Sequence, residues 1–428
     1  MNEYLFKQMR ELLGSRYDDF VRAYDTKPRR KSLRVNTLKI SESEFAALCG
    51  YELAPNPLCA QSFYTTVKPS LDPLYHAGLY YMQEASASAA VAAFSPFIGE
   101  RVFDLCAAPG GKTTQAAAFM NGRGVIYCND VESKRVRVLC ENIERLGVTN
   151  AVVTSATAGG YRAAGFDGYF DTLIVDAPCS GGGMTRNEDV PLSAEIVAGC
   201  AARQRDILKD AAELVADGGY MLYSTCTFSR EENEDNIEFL AARGFTTVDI
   251  PLRAGEVRGI DMPDARRIYP MNFDGEGHFY CVLRKNGGTQ PTIRCERVKR
   301  STVKIGGLEL TVDGKNGEQY IRDFEVPRLH GGVGIVRAGV RVAVDGEYTY
   351  ALSHALKKEQ IEMAGAVELG DDATKYIRGE QLEINAPRGF CIATVSGYAL
   401  GWVKSAPSGN GDNVLKNLYP KGLRINRN

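Results

Sequence analysis

Short apolar runs alternate with helical patterns between residues 86 and 286, and this alternation limits the chain to a small set of folds. The runs have five to seven residues, as strands do, and helical periods lie between them. The predicted strands are 101–107, 124–130, 151–155, 171–177, 219–225, 245–250 and 278–284. The predicted helices are 113–120, 132–147, 192–215 and 230–243. This pattern indicates an α/β fold with a parallel sheet covered by helices on both faces.

The segments on either side have a different pattern. The N-terminal segment begins with helical periods and becomes mixed, whereas the glycine-rich run GGTQP at 287–291 indicates a linker. Short strand-like pieces with glycine turns occupy 301–353 and 381–428. We therefore expect an N-terminal α+β domain, a central α/β domain and a β-rich C-terminal region. The predicted boundaries are 1–85, 86–286 and 287–428.

The cysteine and histidine content excludes two classes of site. Eleven cysteines occur without any CxxC spacing, and there are only four histidines, which argues against a disulfide scaffold and a zinc site and favours a reducing compartment. The N-terminus lacks the apolar core of a signal peptide, and the run at 85–94 is too short to span a bilayer. We expect a cytoplasmic protein without a metal or a membrane anchor.

The net charge of −2 hides local basic runs. KPRRKSLR at 27–34 carries five cations and no acid, and RCERVKR at 294–300 carries four cations and one acid. The segment after Trp402 has one acid, Asp412, and these cations: Lys404, Lys416, Lys421, Arg424 and Arg427. Basic runs supply affinity for RNA phosphates, but they are more often solvated faces. Charge alone leaves both interpretations open.

Glycines follow the first predicted strand, and an acid ends the second. Gly110 and Gly111, in CAAPGGKT at 106–113, allow a tight turn and close approach to a ligand, and the next helix offers free N–H groups to an anion. The segment matches neither GxxxxGK[ST] nor GxGxxG. Asp130 can accept hydrogen bonds from both ribose hydroxyls, or cap the helix that begins at 132. Together these segments indicate a nucleoside cofactor with an anionic or zwitterionic tail, which S-adenosylmethionine satisfies better than NAD.

Two cysteines, Cys179 and Cys226, lie just past the ends of two further strands, where a cleft is expected. A free cysteine is usually a small buried hydrophobe, as we expect for Cys106, Cys128, Cys140, Cys200 and Cys281. A Cys–His hydrolase is not indicated, because the four histidines lie in unrelated contexts: His76, His278, His330 and His354.

Two thiols beside the carboxyl group of Asp176 suit substitution at carbon 5 of a pyrimidine. A thiolate that adds to carbon 6 makes carbon 5 enamine-like and able to take a methyl group. An acid can hydrogen-bond N3 and the amino group of the base, and the base must be splayed out of any helix. The residues alone leave open which cysteine attacks.

Three long motifs, DLCAAPGGKTTQ, DAPCSGGG and YSTCTFSREENE, resemble those of the RNA 5-methylcytosine methyltransferases of the Sun family. The resemblance extends to RKSLRVNTLKIS at 31–42 and LYYMQEASASAA at 79–90. The tail GWVKSAPSGNGDNVLKNLYPKGLR resembles that of the RsmF branch, which methylates small-subunit ribosomal RNA and ends in a PUA-like RNA-binding module.

The resemblance implies roles for individual residues. Cys226 would be the nucleophile, and Cys179 would promote product release. Asp176 would contact the target cytosine and the cofactor side of the site, with Lys112 close to it. Asp130 would hold the ribose of S-adenosylmethionine, with Arg135 nearby. The methionine end of the cofactor would lie against Cys106, Ala107, Ala108, Pro109, Gly110, Gly111 and Lys112.

One position departs from the family pattern. The family usually has an acid after the third strand, in a TxxD pattern that approaches the adenine, whereas this chain reads TSATAGG with Thr157 at that position. A threonine hydroxyl can still bond the adenine amino group, or a backbone group can replace it.

The expected fold is a Rossmann-like methyltransferase sheet of strand order 3-2-1-4-5-7-6, with an N-terminal RNA-binding domain and C-terminal β-rich PUA-like modules. The expected activity is S-adenosylmethionine-dependent methylation of cytosine carbon 5 in small-subunit ribosomal RNA, free or in the 30S subunit, by a monomer. The alternatives are the same chemistry on transfer RNA, or an idle RNA-binding assembly factor. A protein methyltransferase lacks support because DAPC replaces an Asn-Pro-Pro-aromatic motif after the fourth strand.

Overall fold

The computed structural model describes residues 2–26, 30–186, 191–287, 300–315, 318–322, 324, 333–384, 386–407 and 413–425. Several features named above lie outside these ranges: 27–29 of the first basic run, 288–291 of the predicted linker, 294–299 of the second basic run, His330, Asp412 and Arg427. Within the described ranges, every helix is too short or too polar to cross a membrane.

The N-terminal segment folds as helices around a small antiparallel sheet of order β2-β3-β1-β4. Its helices are α1 (Glu3–Leu13), α2 (Tyr17–Thr26), α3 (Glu42–Leu48) and α4 (Pro73–His76), and its strands are β1 (Lys31–Val35), β2 (Ala54–Pro55), β3 (Ser62–Thr65) and β4 (Tyr80–Met82). The Asn2 side chain caps α1 by accepting a hydrogen bond from the Leu5 N–H, at 3.1 Å. Leu5, Met9 and Leu13 share one face of α1 and are buried there.

The described residues of the central segment form six α-helices and nine strands. The helices are α5 (Ala87–Phe94), α6 (Gly111–Met120), α7 (Ser133–Arg145), α8 (Ala158–Ala163), α9 (Ala194–Leu214) and α10 (Glu234–Ala241). The strands are β5 (Arg101–Asp104), β6 (Val125–Asn129), β7 (Ala151–Ser155), β8 (Phe170–Asp176), β9 (Val215–Thr225), β10 (Phe245–Thr247), β11 (Glu256–Gly259), β12 (Met262–Ile268) and β13 (His278–Lys285). All seven predicted strands and all four predicted helices are present.

The expected strand order is confirmed, because the sheet runs β7-β6-β5-β8-β9-β13 with β10 paired to β13. The sheet is mixed rather than purely parallel, since β13 runs antiparallel to β9 and to β12. β11 and β12 were not predicted. The arginines Arg266 and Arg267 break the apolar pattern of β12, yet both are fully buried. Arg267 can be buried because it forms a bidentate ion pair with Glu234.

Helices cover both faces of this sheet, as predicted. Alternating side chains of β5 show the division: Val102 packs with α5, α6 and α7, and Phe103 packs with α8, α9 and α10. The order of the parallel strands reverses between β5 and β8, so the loops that follow them diverge and leave a crevice at their carboxyl ends.

The C-terminal region is β-rich, as predicted. Its described residues form two four-stranded sheets, β14-β15-β16-β18 and β21-β22-β23-β24, and a β19–β20 pair. Its strands are β14 (Arg300–Ile305), β15 (Leu308–Lys315), β16 (Glu318–Ile321), β17 (Gly334–Ala338), β18 (Val340–Arg341), β19 (Ala343–Val344), β20 (Glu347–Tyr348), β21 (Ala366–Glu368), β22 (Gly389–Val395), β23 (Tyr398–Pro407) and β24 (Asn413–Asn417). Its helices are α11 (Tyr350–Ala355), α12 (Lys358–Ala364) and α13 (Ala373–Ile377).

One strand of this region joins the central sheet instead of its own. β17 pairs antiparallel with β7, and the Arg337 guanidinium lies 3.0 Å from the Glu144 carboxylate of α7. The helix α11 also packs against α7. The C-terminal region is therefore built into the edge of the central sheet.

Candidate active site

The crevice at the carboxyl ends of β5, β6, β7 and β8 contains a cavity of about 620 Å³. Five of the residues predicted to bind a cofactor line it: Cys106, Asp130, Arg135, Thr157 and Asp176. The other six, residues 107–112, do not line the cavity. They form the adjoining turn and the first residues of α6.

The turn at 106–112 is tightly held. Gly110 has φ of 112°, a left-handed conformation that favours glycine, and its N–H donates to the Ala107 carbonyl at 2.7 Å. The Arg135 guanidinium donates to the Ala108 carbonyl at 2.7 Å. From the N-terminal segment, the buried Arg34 donates to the Gly111 carbonyl at 3.1 Å. This turn is therefore preformed, with the start of α6 directly behind it.

Asp130 is almost completely buried at the cavity wall. One carboxylate oxygen accepts a hydrogen bond from the Glu132 N–H at 3.0 Å, and the other lies 3.1 Å from the Arg135 guanidinium. Glu132, not Asp130, occupies the N-cap position of α7, which begins at Ser133. The proposed capping role of Asp130 is therefore wrong in position, although Asp130 does bond the adjoining turn.

Thr157 caps α8, because its hydroxyl oxygen accepts a hydrogen bond from the Gly160 N–H at 3.1 Å. This helix was not predicted, since AGGYRA contains two glycines of low helix propensity. Thr157 also lines the cavity. One lone pair of its hydroxyl is thus already used within the protein, and the other remains for a ligand.

Asp176 lies at the end of β8, where it meets Lys112 of α6. The two charged groups are 2.9 Å apart, and the Lys112 side chain is only 7% exposed. The Ser224 hydroxyl donates to the same carboxylate oxygen at 2.8 Å. Burial opposes ionisation of Asp176, but the charge of Lys112 and these hydrogen bonds outweigh it and lower its pKa. Asp176 is therefore an ionised carboxylate in the folded protein.

The sulfur atoms of Cys179 and Cys226 are 3.1 Å apart, and neither forms a disulfide. The Cys226 N–H also donates to the Cys179 sulfur, at 3.4 Å. The hydrogen bond with Cys226 and burial raise the pKa of Cys179 well above its ordinary value. Cys179 therefore keeps its proton and can donate it to the sulfur of Cys226.

Close backbone packing joins the loops of the two cysteines. Gly183, four residues after Cys179, donates its N–H to the Cys226 carbonyl at 2.9 Å and accepts from the Gly277 N–H at 3.0 Å. A β-carbon at position 183 would come within 2.8 Å of the Cys226 oxygen and 2.6 Å of the Gly277 oxygen. Only glycine permits this approach.

A buried carboxylate, which the sequence patterns did not single out, supports both loops. Glu232 has no solvent exposure and accepts hydrogen bonds from the N–H and the hydroxyl of Ser180. The Ser180 hydroxyl is also 2.9 Å from that of Thr227, next to Cys226. Gln204 of α9 donates to Glu232 at 2.9 Å and to the Pro178 carbonyl at 3.0 Å. This network holds the residues on either side of Cys179 against those that follow Cys226.

His278 also belongs to this site, so the expectation that it lies in an unrelated context is wrong. It begins β13, which runs antiparallel to β9 and therefore starts at the edge where β8 and β9 end. Burial, and then the charge of Lys112, lower its pKa to about 3, so its imidazole is neutral. Its Nε2 atom is buried without a hydrogen-bond partner among the described residues.

The described part of the chain contains no cluster of three or more His, Cys, Asp or Glu side chains able to hold a metal ion. The site instead combines two adjacent thiols and the ionised carboxylate of Asp176 beside the buried ammonium group of Lys112. Its cavity is also lined by the buried carboxylate of Asp130. Such a site can perform nucleophilic chemistry next to a bound organic cofactor.

Three family descriptions match successive parts of the chain. The model "16S rRNA methyltransferase RsmB/F" matches residues 91–284, "N-terminal domain of 16S rRNA methyltransferase RsmF" matches 1–85, and "Methyltransferase RsmF PUA domain" matches 364–425. A curated relative, "Ribosomal RNA small subunit methyltransferase F" of Klebsiella pneumoniae (strain 342), is 32% identical. The alignment covers 98% of this chain and 96% of that protein.

Solved structures agree with this grouping. A methyltransferase homolog protein from Pyrococcus horikoshii has a TM-score of 0.57 at 30% identity, and the match covers 65% of this chain and 93% of that one. NSun6 from Pyrococcus horikoshii, solved with SFG, has a TM-score of 0.60 at 22% identity, which shows the fold alone; the match covers 67% of this chain and 98% of that one. The resemblance that the motifs indicated is confirmed. The chain belongs to the RsmB/F family of 16S rRNA methyltransferases.

Proposed function

We propose that this protein methylates carbon 5 of a cytosine in small-subunit ribosomal RNA, through a covalent bond between Cys226 and the base. The observation that carries the proposal is the pair of free sulfur atoms 3.1 Å apart at the end of the sheet. Asp176, held as a carboxylate by Lys112, stands at the end of the neighbouring strand. The family description and the names of the relatives support ribosomal RNA as the substrate.

The residues of the cavity fit S-adenosylmethionine. A buried carboxylate at the end of the second strand, Asp130, suits the two hydroxyls of a ribose. The turn at 106–112 and the start of α6 would hold the methionine end, and Thr157 would face the adenine. When bound, this cofactor supplies a methyl group on a positively charged sulfur.

Cys226 would act as the nucleophile after losing its proton to water. Its sulfur bonds to carbon 6 of the base, the C5=C6 double bond opens, and carbon 5 gains the electron pair with which it takes the methyl group. Carbon 5 then loses its proton, the double bond re-forms, and the S–C6 bond breaks with its electrons returning to Cys226. Two adjacent sulfur atoms at the ends of neighbouring strands suit a cycle in which one bonds the base and the other transfers a proton.

Cys179 would accept the proton from carbon 5, after its own thiol proton has passed to water. The largest contribution to its raised pKa is the hydrogen bond with Cys226. That contribution disappears once the Cys226 sulfur is bonded to carbon 6 and carries no proton or charge. Cys179 then ionises more easily, at the step at which a base is required.

Asp176 would select cytosine over uracil. Its lowered pKa keeps it ionised, and an ionised carboxylate only accepts hydrogen bonds. Cytosine offers an amino group at carbon 4, whereas uracil offers a carbonyl oxygen that a carboxylate repels. Lys112, 2.9 Å from Asp176, can in turn donate to an acceptor of the base.

We further propose that the catalytic part comprises residues 86–286, flanked by RNA-binding regions at 1–85 and 287–428. The C-terminal strands supply exposed cations, among them Lys404 and Lys416. Lys404 lies over the Phe390 ring at 4.9 Å. Such cation-plus-aromatic surfaces are typical of RNA contacts.

The experiment that tests this function is methyl transfer from labelled S-adenosylmethionine to small-subunit ribosomal RNA, followed by digestion to nucleosides and mass spectrometry. We expect 5-methylcytidine from the wild type and from Cys200→Ala, a matched control at a half-buried cysteine of α9, and none from Cys226→Ala. A methyl group on ribose or on another base atom would contradict the proposal. So would activity of Cys226→Ala near that of the wild type.

The same assay distinguishes the alternatives. Methylation of transfer RNA but not of ribosomal RNA or 30S subunits would keep the chemistry and refute the substrate. An absence of transfer to any of these RNAs, together with failure to bind labelled S-adenosylmethionine, would favour an RNA-binding assembly factor.

A further inference from the structure

Two cavities lie side by side on the N-terminal sheet, away from the cofactor cavity. Their volumes are about 660 Å³ and 340 Å³, and both are lined by Arg30, Ala54 and Tyr64. The larger continues over β1 and β3, and the smaller over the loop that contains Phe273 and Asp274. Together they form one groove, which we call the Arg30 groove.

The centre of this groove is a cation stacked on an aromatic ring. The Arg30 guanidinium lies 4.3 Å from the centre of the Tyr64 ring. Arg30 is exposed, and its ion pair with Asp274 is 3.5 Å long and open to solvent on both sides, so it is weak. Arginine planes on aromatic rings are platforms on which nucleic-acid bases stack.

A second observation also indicates a ligand at this position. Tyr64 is only 4% exposed, yet its hydroxyl has no hydrogen-bond partner among the described residues. A buried hydroxyl without a partner costs free energy, so such a group usually has one. Because Tyr64 lines both cavities, a polar group bound in the groove can provide it.

The larger cavity is basic. Lys31 and Lys68, both exposed, line it together with Arg30, against the single acid Glu52. Two of these cations belong to the run KPRRKSLR that stands out in the sequence. Three cations around a groove suit consecutive phosphates of a single strand, which run along its length.

The groove leads toward the thiols. Asp274 is three residues before Gly277, at most about 10 Å of chain. The Gly277 N–H donates to Gly183, and Gly183 donates to the Cys226 carbonyl. A strand that lies over the loop at 272–274 is therefore close to the site where Cys226 would meet its base.

We propose that the Arg30 groove holds the single-stranded RNA next to the target cytosine. A base beside the target stacks on the Arg30 guanidinium, and Lys31 and Lys68 contact the phosphates of the same strand. A target base must leave its stack to reach a buried site, so its neighbours lose a stacking partner, and the groove supplies a replacement. This proposal rests on the proposed function and adds to it the path of the RNA.

The test is direct binding of a fluorescein-labelled twelve-nucleotide oligocytidylate, measured by fluorescence anisotropy over a range of KCl concentrations. The variants are Arg30→Glu and Arg30→Lys, which keeps the charge but loses the planar stack. Arg243→Glu is the matched control, since Arg243 is also exposed and also lies on an aromatic ring, 3.5 Å from the centre of Phe239. Binding of sinefungin, an analogue of S-adenosylmethionine, reports that each variant is folded.

We expect Arg30→Glu to weaken binding about tenfold and to reduce the slope of log Kd against log[KCl] by about 0.7, the value for one phosphate of a single strand. Arg30→Lys should keep the slope but lose most of the affinity that the stacked guanidinium contributes. Arg243→Glu should change neither the Kd nor the slope by more than about twofold. Equal effects of Arg30→Glu and Arg243→Glu on binding, or no effect of either, would refute the proposal that this groove binds RNA.

Failure of the groove is distinguishable from failure of the proposed function. If the wild type yields 5-methylcytidine while Arg30→Glu binds the oligonucleotide as the wild type does, only the groove is wrong. If binding depends on Arg30 but no cytosine is methylated in any RNA, RNA binding in the groove is supported and the proposed function is refuted.

Discussion

Replacing Asp104 by asparagine should abolish the loss of stability that Asp104 causes in this protein as the pH rises from about 4 to 7. Asp104 ends β5 and is completely buried. One of its oxygens accepts a hydrogen bond from the Thr113 hydroxyl at 2.6 Å, and the other has no hydrogen-bond partner in the described structure. Burial raises its pKa from the ordinary value of 3.8 to about 7.

The sign follows from the protons bound in each state. Between these two values the folded protein holds a proton that the unfolded chain has lost, so the free energy of unfolding falls as the pH rises. The whole difference corresponds to about 4 kcal/mol at 1.36 kcal/mol per pKa unit, and about 2.5 kcal/mol of it falls between pH 5 and pH 8. Asparagine cannot ionise and has the shape of the protonated acid.

Urea unfolding followed by far-ultraviolet circular dichroism, from pH 5 to pH 8, measures this effect. The quantity to compare is the difference between Asp104→Asn and the wild type at each pH, because the titration of all other groups then cancels. Asp19→Asn, at an exposed aspartate of α2, is the control and should give a constant difference. A constant difference for Asp104→Asn as well would refute the reasoning.

Three other predictions concern the site. Asp130→Ala should raise the Kd for sinefungin about tenfold or more and leave the Kd for oligocytidylate unchanged, because it removes the buried carboxylate that we propose to bond the ribose; the opposite result would contradict the ribose assignment. Glu232→Gln should slow covalent capture of RNA about tenfold without weakening the binding of sinefungin, because the amide places a donor where Ser180 and Gln204 also donate. An unchanged capture rate would refute the positioning role of Glu232. His278→Gln should leave the pH profile of methyl transfer above pH 5 unchanged, because a pKa of about 3 keeps this imidazole neutral there; a loss of an ionisation near pH 6.5 would contradict this.

The sequence was sufficient for seven strands of the central sheet because these strands are mostly apolar runs. Val102 and Phe103 of β5, for example, are both buried, on opposite faces, as expected for a strand covered by helices on both sides. β12 escaped prediction since its charged residues are satisfied by distant partners, such as Glu234 for Arg267. Strands were expected within 301–353, where β17 lies, but its pairing with β7 was not predictable because it joins residues 179 to 186 positions apart.

The residues of the site were predictable where reactive or charged side chains lie at the ends of predicted strands. Asp176 and Asp130 lie at the ends of predicted strands, Cys179 and Cys226 lie just past the ends of two, and the strand order brings these ends together. Glu232 lies in an acidic run that looks like a solvated surface, and only the fold shows that Ser180 and Gln204 surround it. His278 begins a strand, and its position at the site depends on the antiparallel direction of that strand.

The most direct test of the central claim is a denaturing gel of Cys179→Ala incubated with S-adenosylmethionine and small-subunit ribosomal RNA, beside the double variant Cys179→Ala/Cys226→Ala. If Cys226 attacks the base and Cys179 clears the adduct, the single variant gives a slowly migrating RNA–protein band and the double variant gives none. A band that persists in the double variant, or a single variant that releases methylated RNA as fast as the wild type and never forms a band, would contradict the proposed roles of the two thiols.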